Sequence, residues 1–185
     1  MNGRMIEEKE SRAFLLELKD SVLDVPDFPR KGILFKDITP ILGNGRLFRG
    51  MIQTLADRYR VSKPDVIVCI ESRGFFMGSP LAVELGVGLV PVRKKGKLPR
   101  PTKSVSYQLE YGWDSLEVHR DDLSEGMKVL VIDDVLATGG TMRAVLELLS
   151  EFRCEVQELS FLIELKALEG RKKLIGHPVY SLIQY

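Results

Sequence analysis

Apolar residues fall along this chain in two rhythms. Leu47, Phe48, Met51, Ile52, Leu55, Ala56 and Tyr59 recur at helical spacing and predict an amphipathic helix. Residues 7–20 carry a similar pattern, with Glu7, Glu8 and Glu10 ahead of Phe14, Leu15, Leu16 and Leu18. Short unbroken runs instead predict strands at Val66–Ile70 and Leu89–Val92 and a buried parallel strand at Val129–Ile132. Further helices are expected from Phe75 to Leu85 and at about 140–152, with strands near 156–163 and in the tail from Pro178 to Tyr185. Strands alternating with helices imply a parallel sheet flanked by helices, an α/β fold. Two segments break the pattern. Residues 24–45 hold Pro26, Pro29, Pro40, Gly32, Gly43 and Gly45 and predict a partly apolar, irregular stretch. Residues 93–103 lack a core pattern, and Tyr111-Gly112-Trp113-Asp114 reads as the turn of a hairpin spanning about 105–119.

Composition narrows the class. A chain of 185 residues fits one domain with a substantial core. A net charge of +1 argues against nucleic-acid binding as the main function. No apolar run approaches the ~20 residues of a membrane span. The acidic start of the chain does not suit a signal peptide, so a cytoplasmic protein is expected. Cys69 and Cys154 lie in apolar contexts without a CxxC partner and are expected as buried, reduced thiols. His119 and His177 are far apart, which disfavours a histidine metal cluster.

The chemistry concentrates in Val129–Thr141. An apolar strand ends in Asp133 and Asp134, and Ala137-Thr138-Gly139-Gly140-Thr141 leads into a helix. Free N–H groups and the dipole of a helix start make an anion site, and the two threonines add hydroxyl donors. Adjacent carboxylates would repel a phosphate but suit the vicinal hydroxyls of a sugar. One loop would therefore hold a ribose 5-phosphate. A structural strand-turn-helix is the plain alternative. No Gly-Lys-Ser/Thr follows, so the loop is not of the Walker type. Gly43-Asn44-Gly45 and Gly86-Val87-Gly88 lack the third glycine of a dinucleotide fingerprint.

Two more segments follow predicted strands and should face the same sheet edge. Glu71-Ser72-Arg73-Gly74 opens a helix, and Arg73 can fork onto a phosphate. Arg93, Lys94, Lys95, Lys97, Arg100 and Lys103 crowd one stretch without an acid. Such a basic flap can neutralise a pyrophosphate and exclude water on closing. Interleaved aromatics, which nucleic-acid binding would favour, are lacking.

The Val129–Thr141 string resembles the signature of the type I phosphoribosyltransferases, which bind phosphoribosyl pyrophosphate (PRPP). Pro26–Pro29, Gly32–Pro40, Glu71–Gly74, Arg93–Pro99 and Leu109–Gly112 narrow the resemblance to the adenine phosphoribosyltransferase family, from about Val25 to Tyr185. The resemblance implies a type I phosphoribosyltransferase-like sheet with a small hood (about 24–45) and a flexible hairpin flap (about 94–119), all in a single domain. It implies synthesis of AMP and pyrophosphate from adenine and PRPP with Mg2+, in purine salvage, by a homodimer. PRPP contacts are then expected from Ser72, Arg73, Arg93, Lys94, Lys97, Asp133, Asp134, Ala137, Thr138, Gly139, Gly140 and Thr141. Mg2+ would be held through PRPP and water, with no direct protein ligand. Leu34, Phe35 and Lys36 would meet adenine, Phe35 by stacking, and Leu165 would cover the other face. Glu110, beside Tyr111, would donate or orient a proton at the base, with Arg73 and Asp133 the other catalytic groups. Lys36 stands where many family members carry Arg, which places weight on its backbone rather than its side chain. The rivals are a phosphoribosyltransferase for hypoxanthine or xanthine, a PRPP-sensing regulator, and an inactive structural subunit. A regulator would need a nucleic-acid module for which the segment before the hood is too short.

Overall fold

The computed structural model describes residues 2–108 and 113–185, with side chains from Lys9 onward except those of Gln108 and Trp113. The chain divides into two compact units, residues 1–55 and 56–185.

In the first unit, helix α1 (Asn2–Asp20) packs on helix α3 (Gly45–Tyr59) through a small-on-large contact. A Cβ on Gly50 would run into the Phe14 ring, so the missing side chain leaves the space that the phenyl group fills. Asn44 caps α3, its Oδ1 accepting from the N–H groups of Arg46 (3.1 Å) and Leu47 (3.2 Å). The Pro- and Gly-rich segment proves more ordered than its composition suggests. Strands β1 (Leu23–Pro26) and β2 (Leu34–Asp37) form an antiparallel ribbon with Val25 opposite Phe35, and a short helix α2 (Thr39–Gly43) follows. Asp27 (φ 57°) and Gly32 (φ 88°) reverse the chain between the strands. The Gly32 N–H donates to Asp27 Oδ1 at 2.6 Å. Four-residue strands are too short to leave a legible alternation.

The second unit is built on a seven-stranded sheet. Its strands are β3 (Val66–Ile70), β4 (Gly88–Lys94), β5 (Thr102–Gln108), β6 (Trp113–His119), β7 (Lys128–Leu136), β8 (Glu155–Glu164) and β9 (Val179–Gln184), in the order β5-β6-β4-β3-β7-β8-β9. The five strands from β4 to β9 in that order are parallel, and the β5–β6 hairpin adds antiparallel to β4. All of β3 is buried, as its continuous apolar run requires. Helices α4 (Gly74–Leu85) and α5 (Gly140–Ser150) follow β3 and β7. Two 3-10 turns not foreseen from the sequence, Lys166–Leu168 and Gly170–Lys173, link β8 to β9. Within this unit, buried Glu158 of β8 accepts from Arg58 Nε, Arg58 Nη2 and the Tyr59 hydroxyl, each at 2.7 Å.

Chain direction across the sheet reverses between β3 and β7. From β3 the chain moves outward through α4 to β4, then returns past the hairpin to place β7 on the other side of β3. The carboxyl ends of β3 and β7 therefore flank a crevice, the usual ligand position in such sheets. No helix among the described residues is long and apolar enough to cross a membrane. Cys69 is buried, and its thiol is pushed up to about 12 by burial first and then the charge of Asp133. Cys154 is half-buried rather than fully buried as expected.

Candidate active site

The crevice exists because α4 approaches β7 closely. A Cβ on Gly74 would stand 2.8 Å from the Ile132 carbonyl oxygen and 3.4 Å from Asp133 Oδ1. One turn later, a Cβ on Gly78 would stand 2.7 Å from Cys69 Cβ. Two glycines on one helix face thus let its N-terminus reach the acidic end of β7. Arg73, just before that helix, pairs through Nε with Asp134 Oδ2 at 2.5 Å. The peptide between Glu71 and Ser72 is cis, and Ser72 is exposed.

Both acids lie inside β7 rather than beyond it, since the strand runs on to Leu136. The Asp134 N–H donates to Asp133 Oδ1 at 2.9 Å. Asp134 is buried with Arg73 as its ion partner, while Asp133 is half-buried. Burial, followed by the charge of Asp134, pushes the Asp133 pKa well above the usual carboxylate value. Burial also raises Asp134, against the pull of Arg73. Two adjacent acids with raised pKa values are poorly compensated by the protein alone, a common mark of a functional site.

Beyond β7, Thr138 is exposed, and Gly139 adopts φ 76°, ψ 4° as the residue before α5. The Gly139 carbonyl accepts from the Arg143 N–H at 3.0 Å. Helix geometry leaves the first N–H groups of α5, from Gly140 on, without intrahelical acceptors, a geometry that suits an anion. Tyr107 of β5 sits beside Thr141, and burial raises its hydroxyl pKa.

Glu71 organises the basic stretch. Its carboxylate accepts from Arg93 Nε (3.2 Å), the Lys94 N–H (3.2 Å) and Lys97 Nζ. Burial alone would raise its pKa, but Lys97, Arg93 and the Lys94 N–H together hold it below the ordinary value. Lys94 Nζ pairs with Asp114 at 3.0 Å, and the Gly96 N–H donates to buried Glu117 at 3.1 Å. The root of the basic loop is therefore neutralised by acids on β6 and after β3.

The three predicted loops thus converge: Glu71–Gly74 meets Arg93–Lys97 through Glu71 and Asp133–Thr141 through Arg73. A phosphoribosyl transferase domain model matches residues 38–180. The chain is 55% identical over 170 residues to the adenine phosphoribosyltransferase of Carboxydothermus hydrogenoformans, covering 92% of this chain and 100% of that one. It is 54% identical over 168 residues to the enzyme of that name from Roseiflexus sp., covering 91% and 98%. The chain belongs to the adenine phosphoribosyltransferase family. Among solved structures of that family, the Thermoanaerobacter pseudethanolicus protein superposes with a TM-score of 0.89 at 50% identity, covering 92% of this chain and 99% of that one. The Saccharomyces cerevisiae adenine phosphoribosyltransferase, solved with adenine and an imino-altritol bisphosphate, gives 0.87 at 40% identity, covering 92% and 99%. These likenesses establish the type I phosphoribosyltransferase fold expected from the motifs.

The remaining expected residues of this family member fall in three places. Leu34, Phe35 and Lys36 lie on β2 in the first unit, where the Phe35 ring meets Phe28 edge-on at 5.1 Å. Lys36 pairs with Asp24 across the ribbon, so its ammonium already has an acidic partner. Leu165 follows β8 in the second unit and is half-buried, its N–H donating to the Leu136 carbonyl at 2.9 Å. Glu110 and Tyr111 lie outside the described residues. Sequence reasoning missed Glu71 as the anchor of Arg93 and Lys97, because it was read as part of an anion loop. It also missed Tyr107 and Gly170. A lone tyrosine on a strand and a lone glycine in a loop carry no motif.

Proposed function

We propose that this protein transfers the 5-phosphoribosyl group of PRPP to adenine, releasing pyrophosphate and forming AMP in purine salvage. The observation that carries this reading is the meeting of the Arg73 turn and the Asp133–Thr141 loop at the switch point between β3 and β7. The 5-phosphate is assigned to the N–H groups at the start of α5, with the hydroxyls of Thr138 and Thr141. Ala137, Gly139 and Gly140 let the backbone approach it closely. The ribose hydroxyls are assigned to Asp133 and Asp134. A carboxylate there accepts their hydrogen bonds and lies near the positive charge that spreads over the ring as pyrophosphate departs. Ionising both acids is costly in the protein alone, so hydroxyl donors from ribose would add to the single Asp134 N–H that Asp133 accepts from.

Ser72, Arg73, Arg93, Lys94 and Lys97 are assigned to the pyrophosphate. Asp134 orients Arg73, and Glu71 gathers Arg93 and Lys97, so the cations are held close to where leaving-group charge develops. Mg2+ fits this arrangement as an ion held mainly by PRPP oxygens and water, the hard donors it prefers. When bound, it would neutralise part of the charge on the pyrophosphate. Leu34, Phe35 and Lys36, and separately Leu165, are assigned to adenine, with Glu110 as the group that handles or orients the base proton. We further assign the chain to a single functional domain, a homodimer and the cytoplasm, as the family resemblance implies.

Base choice is the decisive test. Adenine presents a donor at N6 and an acceptor at N1, whereas hypoxanthine presents the reverse. The extended backbone of β2 alternates N–H and C=O groups that can match the first pattern. Swapping the base would oppose like groups at two positions, each costing about 1–3 kcal/mol. Discrimination of roughly 10⁴-fold in kcat/KM is expected, and Lys36→Arg should preserve it because the readout is by backbone. Comparable rates of AMP and IMP formation at equal base concentrations would reject the adenine assignment and leave PRPP binding in place.

A further inference from the structure

The turn after β8 touches the phosphate loop in a way that no motif announces. Gly170 is buried, and its backbone crosses that of Ala137–Gly139. A Cβ on Gly139 would lie 2.5 Å from the Gly170 carbonyl oxygen. Conversely, a Cβ on Gly170 would run into the Ala137 carbonyl, stand 2.8 Å from Leu136 Cδ1 and 3.1 Å from the Gly139 nitrogen. Gly139 therefore has no room for a side chain because of the Gly170 backbone, and Gly170 has none because of the Ala137 carbonyl and the Leu136 side chain. The left-handed φ of Gly139, which turns the loop into α5, is adopted against this wedge.

The next residue anchors the wedge. Arg171 donates through Nε (2.6 Å) and Nη2 (2.7 Å) to the two oxygens of Glu164, at the end of β8. Its Nη1 donates to the Val179 carbonyl at the start of β9 (2.9 Å). Glu164 is buried and also accepts from the Ser181 hydroxyl at 2.5 Å. Arg171, then Ser181, hold its carboxyl below the ordinary value, against burial. A forked guanidinium fixes direction as well as charge, which a lysine cannot do. The segment is tied at its other end by the Leu165 N–H on the Leu136 carbonyl.

We propose that Gly170 is a positioning residue for the 5-phosphate loop, set in place by the Arg171–Glu164 pair. Through it, the segment that carries Leu165 also shapes the loop that receives PRPP. The proposal rests on the PRPP reading of that loop and is independent of which base is used.

The test is calorimetric PRPP binding with Mg2+ and no base, beside steady-state kinetics and thermal melting. Gly170→Ala should raise the PRPP Kd about tenfold or more, since displacements near 1 Å are costly at such sites. At saturating PRPP, its kcat should stay within about threefold, because no group touching the reacting atoms is removed. Arg171→Gln should weaken PRPP similarly, and Arg171→Lys should recover only part of the loss. A purely structural turn would instead lower the melting temperature and leave PRPP affinity unchanged, and that result overturns the proposal. Should Gly170→Ala fail to fold, Glu164→Gln decides: a raised PRPP Kd supports the proposal and an unchanged one overturns it. Wild-type protein that does not bind PRPP would overturn the reading of the loop as well. Wild-type binding with indistinguishable variants overturns this proposal alone.

Discussion

Replacing Gly139 by alanine tests whether the loop before α5 is shaped by its own backbone or only by its ligand. Two penalties follow from the structure. Gly139 sits at φ 76°, where an L residue costs roughly 1–2 kcal/mol. The new Cβ would also lie 2.5 Å from the Gly170 oxygen, against 3.4 Å at the start of ordinary contact, so the loop must retreat by about 0.9 Å. The first penalty lowers the melting temperature by roughly 2–8 °C for a chain of this size. The second moves the N–H groups assigned above to the 5-phosphate by nearly an ångström, enough for an expected loss of about 10²-fold in kcat/KM for PRPP. Gly140→Ala is the internal control. Its φ is ordinary, and its Cβ would meet only Thr138 Oγ1, at 3.8 Å. Alanine gains up to ~1 kcal/mol over glycine in a helix, so this variant should melt no lower than wild type. Any rise in its PRPP KM then reports close approach of the phosphate itself. Melting curves and PRPP titrations on the two variants separate the effects. Gly139→Ala with wild-type melting and a PRPP KM within about threefold of wild type would refute the reasoning.

Asp133 predicts a pH dependence of stability. Its folded pKa is raised by burial and by Asp134, so the folded state holds the proton more tightly than the unfolded chain. The contribution of Asp133 to stability without substrate, read as the difference between wild type and Asp133→Asn, should fall as pH rises from about 4 through the folded value, and then level off. Asp133→Asn removes that loss, so at about pH 7 it should melt higher than wild type while kcat/KM falls; a lower melting temperature would contradict the sign. Glu110→Gln should reduce kcat by about 10²-fold or more with PRPP affinity unchanged, and wild-type single-turnover rates would exclude a role in proton transfer.

Legibility was uneven across the molecule. The buried strands Val66–Ile70 and Val129–Ile132 and the stripe from Leu47 to Tyr59 are written in local periodicity, which burial on one face or two enforces directly. The Thr138–Thr141 turn was legible because a strand-to-helix switch with glycines has few conformations open to it. The β1–β2 ribbon was not, since its strands are too short for a pattern and its reversal depends on Asp27 accepting from Gly32. The site's electrostatics were less legible still. Glu71 reaches Arg93 and Lys97, more than twenty residues onward, because parallel pairing of β3 with β4 sets Ile70 beside Val92.

Local residue order was therefore enough to specify the main strands and helices, the glycine turn before α5 and the family. It did not specify which loop presses on which. That Gly74 lets α4 reach Asp133, that Arg73 pairs with Asp134, and that the Gly170 backbone lies against Ala137 and Gly139 all follow from strand order and register. Turn and helix preferences act over a few neighbouring residues, whereas these contacts join segments distant in sequence that only the assembled sheet brings within an ångström-scale fit.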